Sequence, residues 1–411
     1  MLAARALYYA LMVAFIIALS SSLLISLAYL QRVHQNTAFD GERLVRNLNS
    51  GIALLKAGKI GDMQETAFDL YGDGRDSIRL AKKKWGLFDV AYAKAHSYQG
   101  WRRDTLVKAF FLGNQKDSTL RSALYLSDRN KPLGLAGKTN LKGWCQLPKA
   151  DIKSAYIDGV SYFGAQLIYG KKTRSRAQLP LVREDRIANL VQQFNTRKGI
   201  SLLPAAVEQS FLDTTIYVQG DNIYLEGISL KGNIIVIAQS AIYVSASAKL
   251  DGVQLYAPVI QFEAGFQGNL QAFALSELRV GEACQLEYPS VLGLLKTALS
   301  GERPIIKVAE NSVVTGLIFI KTIQYTRFPP KLLLGENTLV EGQVFVNGSF
   351  EHRGTVYGNV SCDQFHLRTN SAVYDNHLLN ATIDRTSLSK YFIAPLYAAT
   401  SLQYETVKWV D

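Results

Sequence analysis

The chain has 411 residues, 48% hydrophobic and 19% charged, a balance that excludes broad disorder and provides for two or three ordinary cores. Its formal net charge of +11 is lopsided: 31 Lys/Arg against 17 Asp/Glu in residues 1–215 (net +14), and 14 against 17 in residues 216–411 (net −3). Three widely separated cysteines, Cys145, Cys284 and Cys362, exclude a complete disulfide framework and read as buried apolar fillers or free thiols.

Residues 6–30 (ALYYALMVAFIIALSSSLLISLAYL) carry no charged side chain over 25 positions. As a helix this run spans the roughly 30 Å hydrocarbon core of a bilayer. It exceeds the roughly 7–15 apolar residues of a signal-peptide core, although Ser26-Leu27-Ala28 resembles a cleavage site, so an uncleaved anchor is expected. Arg5 on one side nearly balances Arg32, Arg43 and Arg46 on the other. The bulky β-rich remainder places the N-terminus inside and the body outside, by analogy with exported domains. The pattern then turns amphipathic, with Phe39, Leu44, Val45, Leu48, Ile52, Leu54 and Leu55 near helical spacing and Gly58 as a stop. An apolar helix continuing into a soluble amphipathic one resembles type IV pilins and pseudopilins over residues 1–60. The segment departs from them in lacking a Gly-Phe processing junction and an early acidic residue.

Residues 63–125 read as a β meander, with ETAFDLY, SIRLAKKKW, GLFDVAYAKAHS, TLVKAFFLG and SALYLS separated by turn formers. Asp69, Asp73 and Asp76 are spaced loosely like a calcium loop but lack its order and its closing Glu, so a plain Gly/Asp turn is the economical reading. Residues 130–204 are irregular and basic, peaking in Lys171, Lys172, Arg174 and Arg176. That cluster suits acidic lipid, an acidic partner or a polyanionic glycan. No stacking-aromatic RNA or DNA motif accompanies it, so nucleic acid is not expected, and a solvated loop is the simpler reading. Residues 185–197 show helical spacing of Ile187, Leu190, Val191 and Phe194. A domain boundary falls near Pro204.

Beyond Thr214 short β-rich runs recur: TIYV, NIYLEGISL, NIIVIA, AIYVSA, VQLYAPVIQF, NLQAFAL and ELRV. Compact Gly, Asn or Asp turns between short strands fit stacked coils of a parallel β-helix better than a sandwich, because hairpin signals are scarce. Residues 289–299 (PSVLGLLKTAL) predict a short helix. Downstream, Val344, Val346, Phe350, Val356 and Val360 alternate with Gly342, Gly348, Gly354 and Gly358. This G-x-φ-x-G cadence resembles bactofilins, and the resemblance, suggestive over 216–367, implies a β-helix that assembles. Tyr391, Phe392, Ile393 and Leu396 are expected to cap the stack or dock back on it.

Three sequons begin at Asn347, Asn359 and Asn380, triplets that Gly/Asn turns also generate freely. His352, Cys362, His366 and His377 could converge on stacked coils, yet match no closed zinc spacing. Asp251, Glu263, Glu277, Glu282 and Glu287 could supply glycosidase or lyase carboxylates, but their spacing selects no pair. No G-x-S-x-G, P-loop or G-x-G-x-x-G occurs. No catalytic, cofactor or metal residue is therefore assigned.

The expected layout is mainly β: a transmembrane helix continuing as an amphipathic helix (1–60), a small α+β domain with a basic connection (61–204), a C-terminal parallel β-helix (205–385) and a capping tail (386–411). The expected role is a membrane-anchored structural or assembly protein of the bacterial cell envelope, with membrane lipid and envelope proteins or further copies as partners. The alternative is a tethered β-helix that binds or processes an anionic polysaccharide.

Overall fold

The computed structural model describes residues 2–61, 65–72, 74, 76–99, 102–114, 122–196, 199–200, 204–296, 303–323, 328–393, 395–397 and 403–410. Helix α1 runs unbroken over Leu2–Lys56, 55 residues, or roughly 80 Å at 1.5 Å per residue. It ends just before Gly58, whose φ is 67°. Side chains 6–30 are exposed throughout. From Leu44 onward the helix changes character: Leu44, Leu48 and Leu55 bury against Ile78, Leu80, Ala91, Ala93, Ala95, Phe110 and Leu112, each leucine contributing about 1.5–3 kcal/mol. Gly51 permits this approach, since a Cβ there would lie 2.1 Å from Ile78 Cδ1. Arg43 pairs with the buried Asp76, and Lys56 Nζ reaches Glu405 at 2.7 Å.

The partner of α1 is an antiparallel sheet ordered Thr66–Phe68, Asp76–Trp85, Phe88–Gln99, Arg102–Asn114, Tyr404–Trp409. The period-2 alternation sends Ala91, Phe110 and Leu112 to the helix, and Val90 and Phe111 to the opposite face. The expected meander forms over its first four strands only. Ser122–Leu126, expected as its fifth, instead pairs in parallel with Val360–Cys362, and the chain's last strand takes the vacant edge.

Most of the remaining strands wind into a closed, barrel-like and mainly parallel sheet around one apolar core. Beside it, His377–Leu379, Leu133–Ala136 and Ile152–Ser154 form a small parallel sheet, and Tyr156–Ile157 pairs antiparallel with Val160–Ser161. One column of register partners traces the length of the closed sheet: Ile200, Val218, Val236, Leu255, Ala272, Leu292, Ile318, Val344, Val360, Leu124, Cys145, Lys172. These eleven steps at about 4.8 Å make a stack roughly 50 Å long. The ten members between Ile200 and Lys172 are buried in the core. Residues 122–174, expected in the small α+β domain, thus supply the rungs beyond Val360, and the chain re-enters at the other end near Ile200. Between the ends it runs along one flank through α2 (Glu184–Gln193), which buries Arg186, Ile187 and Leu190.

That flank explains the continuous apolar runs. Ile235, Ile237, Tyr256, Phe273, Leu317, Phe319 and Phe345 point outward from the parallel sheet, yet are buried against Trp85, Phe88, Val90 and Phe111 of the antiparallel sheet and Ile187 and Leu190 of α2. Strands covered on both faces need no polar alternation. The segment 289–299 was expected as a helix for the same reason, but its residues through Lys296 belong to the strand Gln285–Lys296; 297–299 lie outside the described residues. A doubly buried strand and a buried helix share one apolar signature.

The glycine cadence marks a stacked corner. Ser290, Gly316, Gly342 and Gly358 are register partners, and the three glycines have φ of 150°, 151° and 158°. A Cβ on Gly358 would lie 1.7 Å from Gly342 O, and one on Gly342 1.9 Å from Gly316 O. Only a residue without Cβ lets successive rungs close here.

The tail docks along the flank rather than over an end of the stack. Tyr288 Oη donates to Ile393 O at 3.0 Å and accepts from Ile393 N at 3.2 Å. Leu396 and Tyr397 are buried with the flank residues, while Tyr391 is exposed.

Candidate functional site

Three parts of the described surface are left uncovered by the packing of the body: the bare arm of α1 and the two ends of the stack. The arm is apolar and long enough to cross a membrane by length and composition. Residues 31–43 separate the apolar run from Leu44, the first buried leucine, a spacer of roughly 20 Å.

The candidate metal residues do not converge. His352 is buried beside the Phe350 ring, 5.0 Å between centroids, and its Nε2 meets Thr382 O at 3.1 Å. Burial lowers its pKa to about 4. Cys362 lies in the core, where burial pushes its thiol well up, and burial raises Cys145 to about 12. All three cysteines are free and buried. His366 faces Asp375 at 3.5 Å, and His377 Nδ1 meets Asp375 O at 2.7 Å. Among the described residues no group of three His, Cys, Asp or Glu is placed to hold a metal ion.

The Asp/Gly turn is structural in its described part. Asp69 accepts from the backbone N–H groups of Tyr71, Gly72 and Gly74 at 3.1, 2.8 and 2.9 Å; Asp76 is turned to Arg43; Asp73 lies outside the described residues. The glycosidase-type carboxylates are likewise dispersed. Asp251 pairs with Lys408 at 2.6 Å and Glu277 with Arg279. Glu263 accepts from Ala246 N and Ser245 Oγ, which hold its pKa down. Glu282 and Glu287 are exposed on separate turns and strands. Of the sequon asparagines, Asn359 is fully buried, donating to Ser122 O at 2.6 Å; Asn347 donates to Asp363 at 2.9 Å; Asn380 accepts from Lys138 N at 3.0 Å.

At one end of the stack, Glu208, Asp213, Asp251, Lys231, Lys408, Phe211 and Trp409 line a cleft of about 500 Å³. Its lysines are engaged, Lys231 with Glu208 at 2.6 Å and Lys408 with Asp251. At the other end lies the basic cluster: Lys172 and Arg174 sit on the terminal strand Lys172–Arg174, with Lys171 and Arg176 flanking it.

Sequence reasoning missed the buried ion pair of Arg186 on α2 with Asp89, both 1% exposed. Arg186 Nη1 also donates to Phe88 O at 3.2 Å. The signal was present, since Arg186 falls on the apolar stripe of α2 next to Ile187 and Leu190, but a charge there reads locally as solvated. No family model matches this chain, and neither curated proteins nor solved structures show significant similarity to it.

Proposed function

We propose that this chain is a membrane-anchored structural and assembly protein of the cell envelope, with α1 crossing the membrane and the β body held on its extracytoplasmic side. The observation that carries this reading is the division of one unbroken helix into an exposed apolar half and a half packed on a sheet. Such a helix transmits position rigidly from bilayer to body. The layout, a long helix laid on an antiparallel sheet, supports a pseudopilin-like or scaffold role, and the parallel winding with its glycine corner supports the bactofilin-like β-helix. The test is fractionation of cells carrying the full chain. The protein should stay in the membrane pellet after alkaline carbonate and leave it only with detergent, whereas Ile16→Arg with Leu19→Arg should shift it to the soluble fraction. Carbonate release of the unaltered chain would overturn the reading.

One observation favours a second reading, binding of an anionic polysaccharide. Tyr224 and Tyr243 stack at 4.9 Å and 12°, and the same outward column continues through Gln261, Arg279 and Lys307. Aromatic faces followed by cations suit a sugar chain bearing carboxylate or sulfate groups. Retention on a uronic-acid matrix that Tyr243→Ala abolishes would support it; equal retention of both proteins would refute it.

A further inference from the structure

The two ends of the parallel stack are unlike, and each lacks a neighbour. At one end the outermost pieces are the bridge residue Ile200, the strand Ala206–Gln209 and the second half of the strand Ile216–Leu225. Ala206–Gln209 pairs only with Ser229–Gly232, and residues 222–225 pair only with 241–244. At the other end, Ile152–Ser154 pairs only with Leu133–Ala136, and Lys172–Arg174 only with Trp144–Leu147. Each of these strands therefore turns one row of backbone N–H and C=O groups away from the stack, with no strand partner among the described residues. Such a row is a template for a further strand.

The ends also differ in charge. Residues 199–231 hold Glu208, Asp213, Asp221 and Glu226 against Lys231, four acidic to one basic, net −3. Residues 138–176, the last two turns at the opposite end, hold eight Lys/Arg (Lys138 to Arg176) against Asp151 and Asp158, net +6. Exposed aromatics accompany both: Tyr224 at the acidic end, Tyr156 and Phe163 at the basic end, each about 70% exposed.

We propose that the stack ends form a head-to-tail interface between copies of this chain, the basic end of one docking on the acidic end of the next. The geometry is compatible on every side. Apart from the short antiparallel excursion Val373–Asp375, the rungs run the same way, so a copy translated along the axis continues each side in parallel. Ile152–Ser154 would meet residues 222–225, the segment near Tyr169 would meet Ala206–Gln209, and Lys172–Arg174 would meet residues 199–200. Opposite net charge favours this docking over joining two like ends, which would oppose equal charges. Because the two surfaces differ, the contact is heterologous and propagates into a filament instead of stopping at a dimer.

Naming a second copy as the partner deepens the assembly reading above, and the two can fail separately. Fractionation interrogates α1, whereas the following experiment interrogates only the ends.

The full chain is placed in membranes with Ser154→Cys at the basic end and Asn222→Cys at the acidic end, and treated with a short bis-maleimide. Both positions are exposed and the three native cysteines are buried. The double variant should give a ladder of dimers, trimers and larger species, and each single variant only monomer. In the double-cysteine chain, Glu208→Lys with Asp221→Lys, or Lys153→Glu with Arg174→Glu, should each lower dimer yield about tenfold. Mixing the two reversed proteins before reconstitution should restore it. These are surface changes, and unaltered circular dichroism would verify the fold. Dimers from a single-cysteine variant, a double variant that stays monomeric, or charge reversal without effect would each overturn the head-to-tail interface.

Discussion

Removing Arg186 should separate the two sheets, and the size of the effect follows from its surroundings. Arg186 and Asp89 are each 1% exposed, and the guanidinium bonds both the Asp89 carboxylate and Phe88 O. Arg186→Met fills much of the same volume but leaves Asp89 charged in a site closed to water. Breaking a buried pair from one side costs about 3–5 kcal/mol, a large fraction of the roughly 5–15 kcal/mol that holds a typical domain folded. Arg186→Met with Asp89→Leu replaces both charges by apolar groups and should recover most of that loss, since such replacements are often neutral or stabilising. The measurement is urea unfolding of the detergent-solubilised full chain, followed by tryptophan fluorescence. Trp85 lies in the same cluster as Ile187 and Leu190, so it reports on this contact. If Arg186→Met alone costs under about 1 kcal/mol, or the double variant merely sums the singles, the pair is not the coupled buried unit described.

Three further outcomes follow from single positions. Gly358→Ala places a methyl 1.7 Å from Gly342 O and should destabilise the stack by about 2 kcal/mol or more in the same unfolding assay. Ala283 sits at φ 53° where the neighbouring turns use Gly265, Asn311 and Asn337, all at positive φ. Ala283→Gly should therefore raise stability by about 0.5–1 kcal/mol, seen as a higher denaturation midpoint. Burial depresses His352 to about 4, below the value of about 6.5 for an exposed histidine. The unfolded chain then binds the extra proton between those values, so stability is full above about pH 6.5 and falls by about 1.4 kcal/mol per unit as pH drops toward 4. Comparing unfolding at pH 6.5 and 5.5 for the unaltered chain and His352→Gln checks this; equal pH sensitivity in both refutes it.

How much of this architecture was legible depended on whether a residue's partner lay nearby in sequence. The 3.6-residue pattern of Leu44, Leu48 and Leu55 showed α1 continuing past its apolar run, and the rhythm after Thr214 showed stacked parallel strands. Many of the runs expected to be short nevertheless join into strands such as Lys249–Phe262 and Leu339–His352, 14 residues each. The glycines at 342 and 358 showed regular bends, though not that each makes room for the preceding rung's carbonyl. Ser122–Leu126 was assigned to the wrong sheet because all five of its residues are buried, a pattern that any covered strand produces. Its partner Val360 lies far downstream, and nothing local points to it. The candidate histidines and carboxylates failed to converge for a related reason. Neighbouring positions on a strand face opposite sides, so His352 turns into the core while His366 faces outward. The charge difference between the two ends was present in the counts, but only the pairing of residues 122–174 beyond Val360 turned a basic half-chain into a basic pole.

That same pairing sets a timetable for synthesis. Asn359 donates to Ser122 O, 237 positions earlier in the chain, so the rungs made first must wait, unstacked on one side, until residues 360–362 are translated. Closing such a long loop adds only a few kcal/mol of chain entropy, growing slowly with length, but dependence on distant contacts slows folding and leaves open edges exposed meanwhile. The chain emerging after α1 can complete its antiparallel sheet only when Tyr404–Trp409 arrives. The antiparallel sheet thus waits for residues 404–409, whereas the parallel stack gains its late seams once residues 360–362 and 382–384 are made.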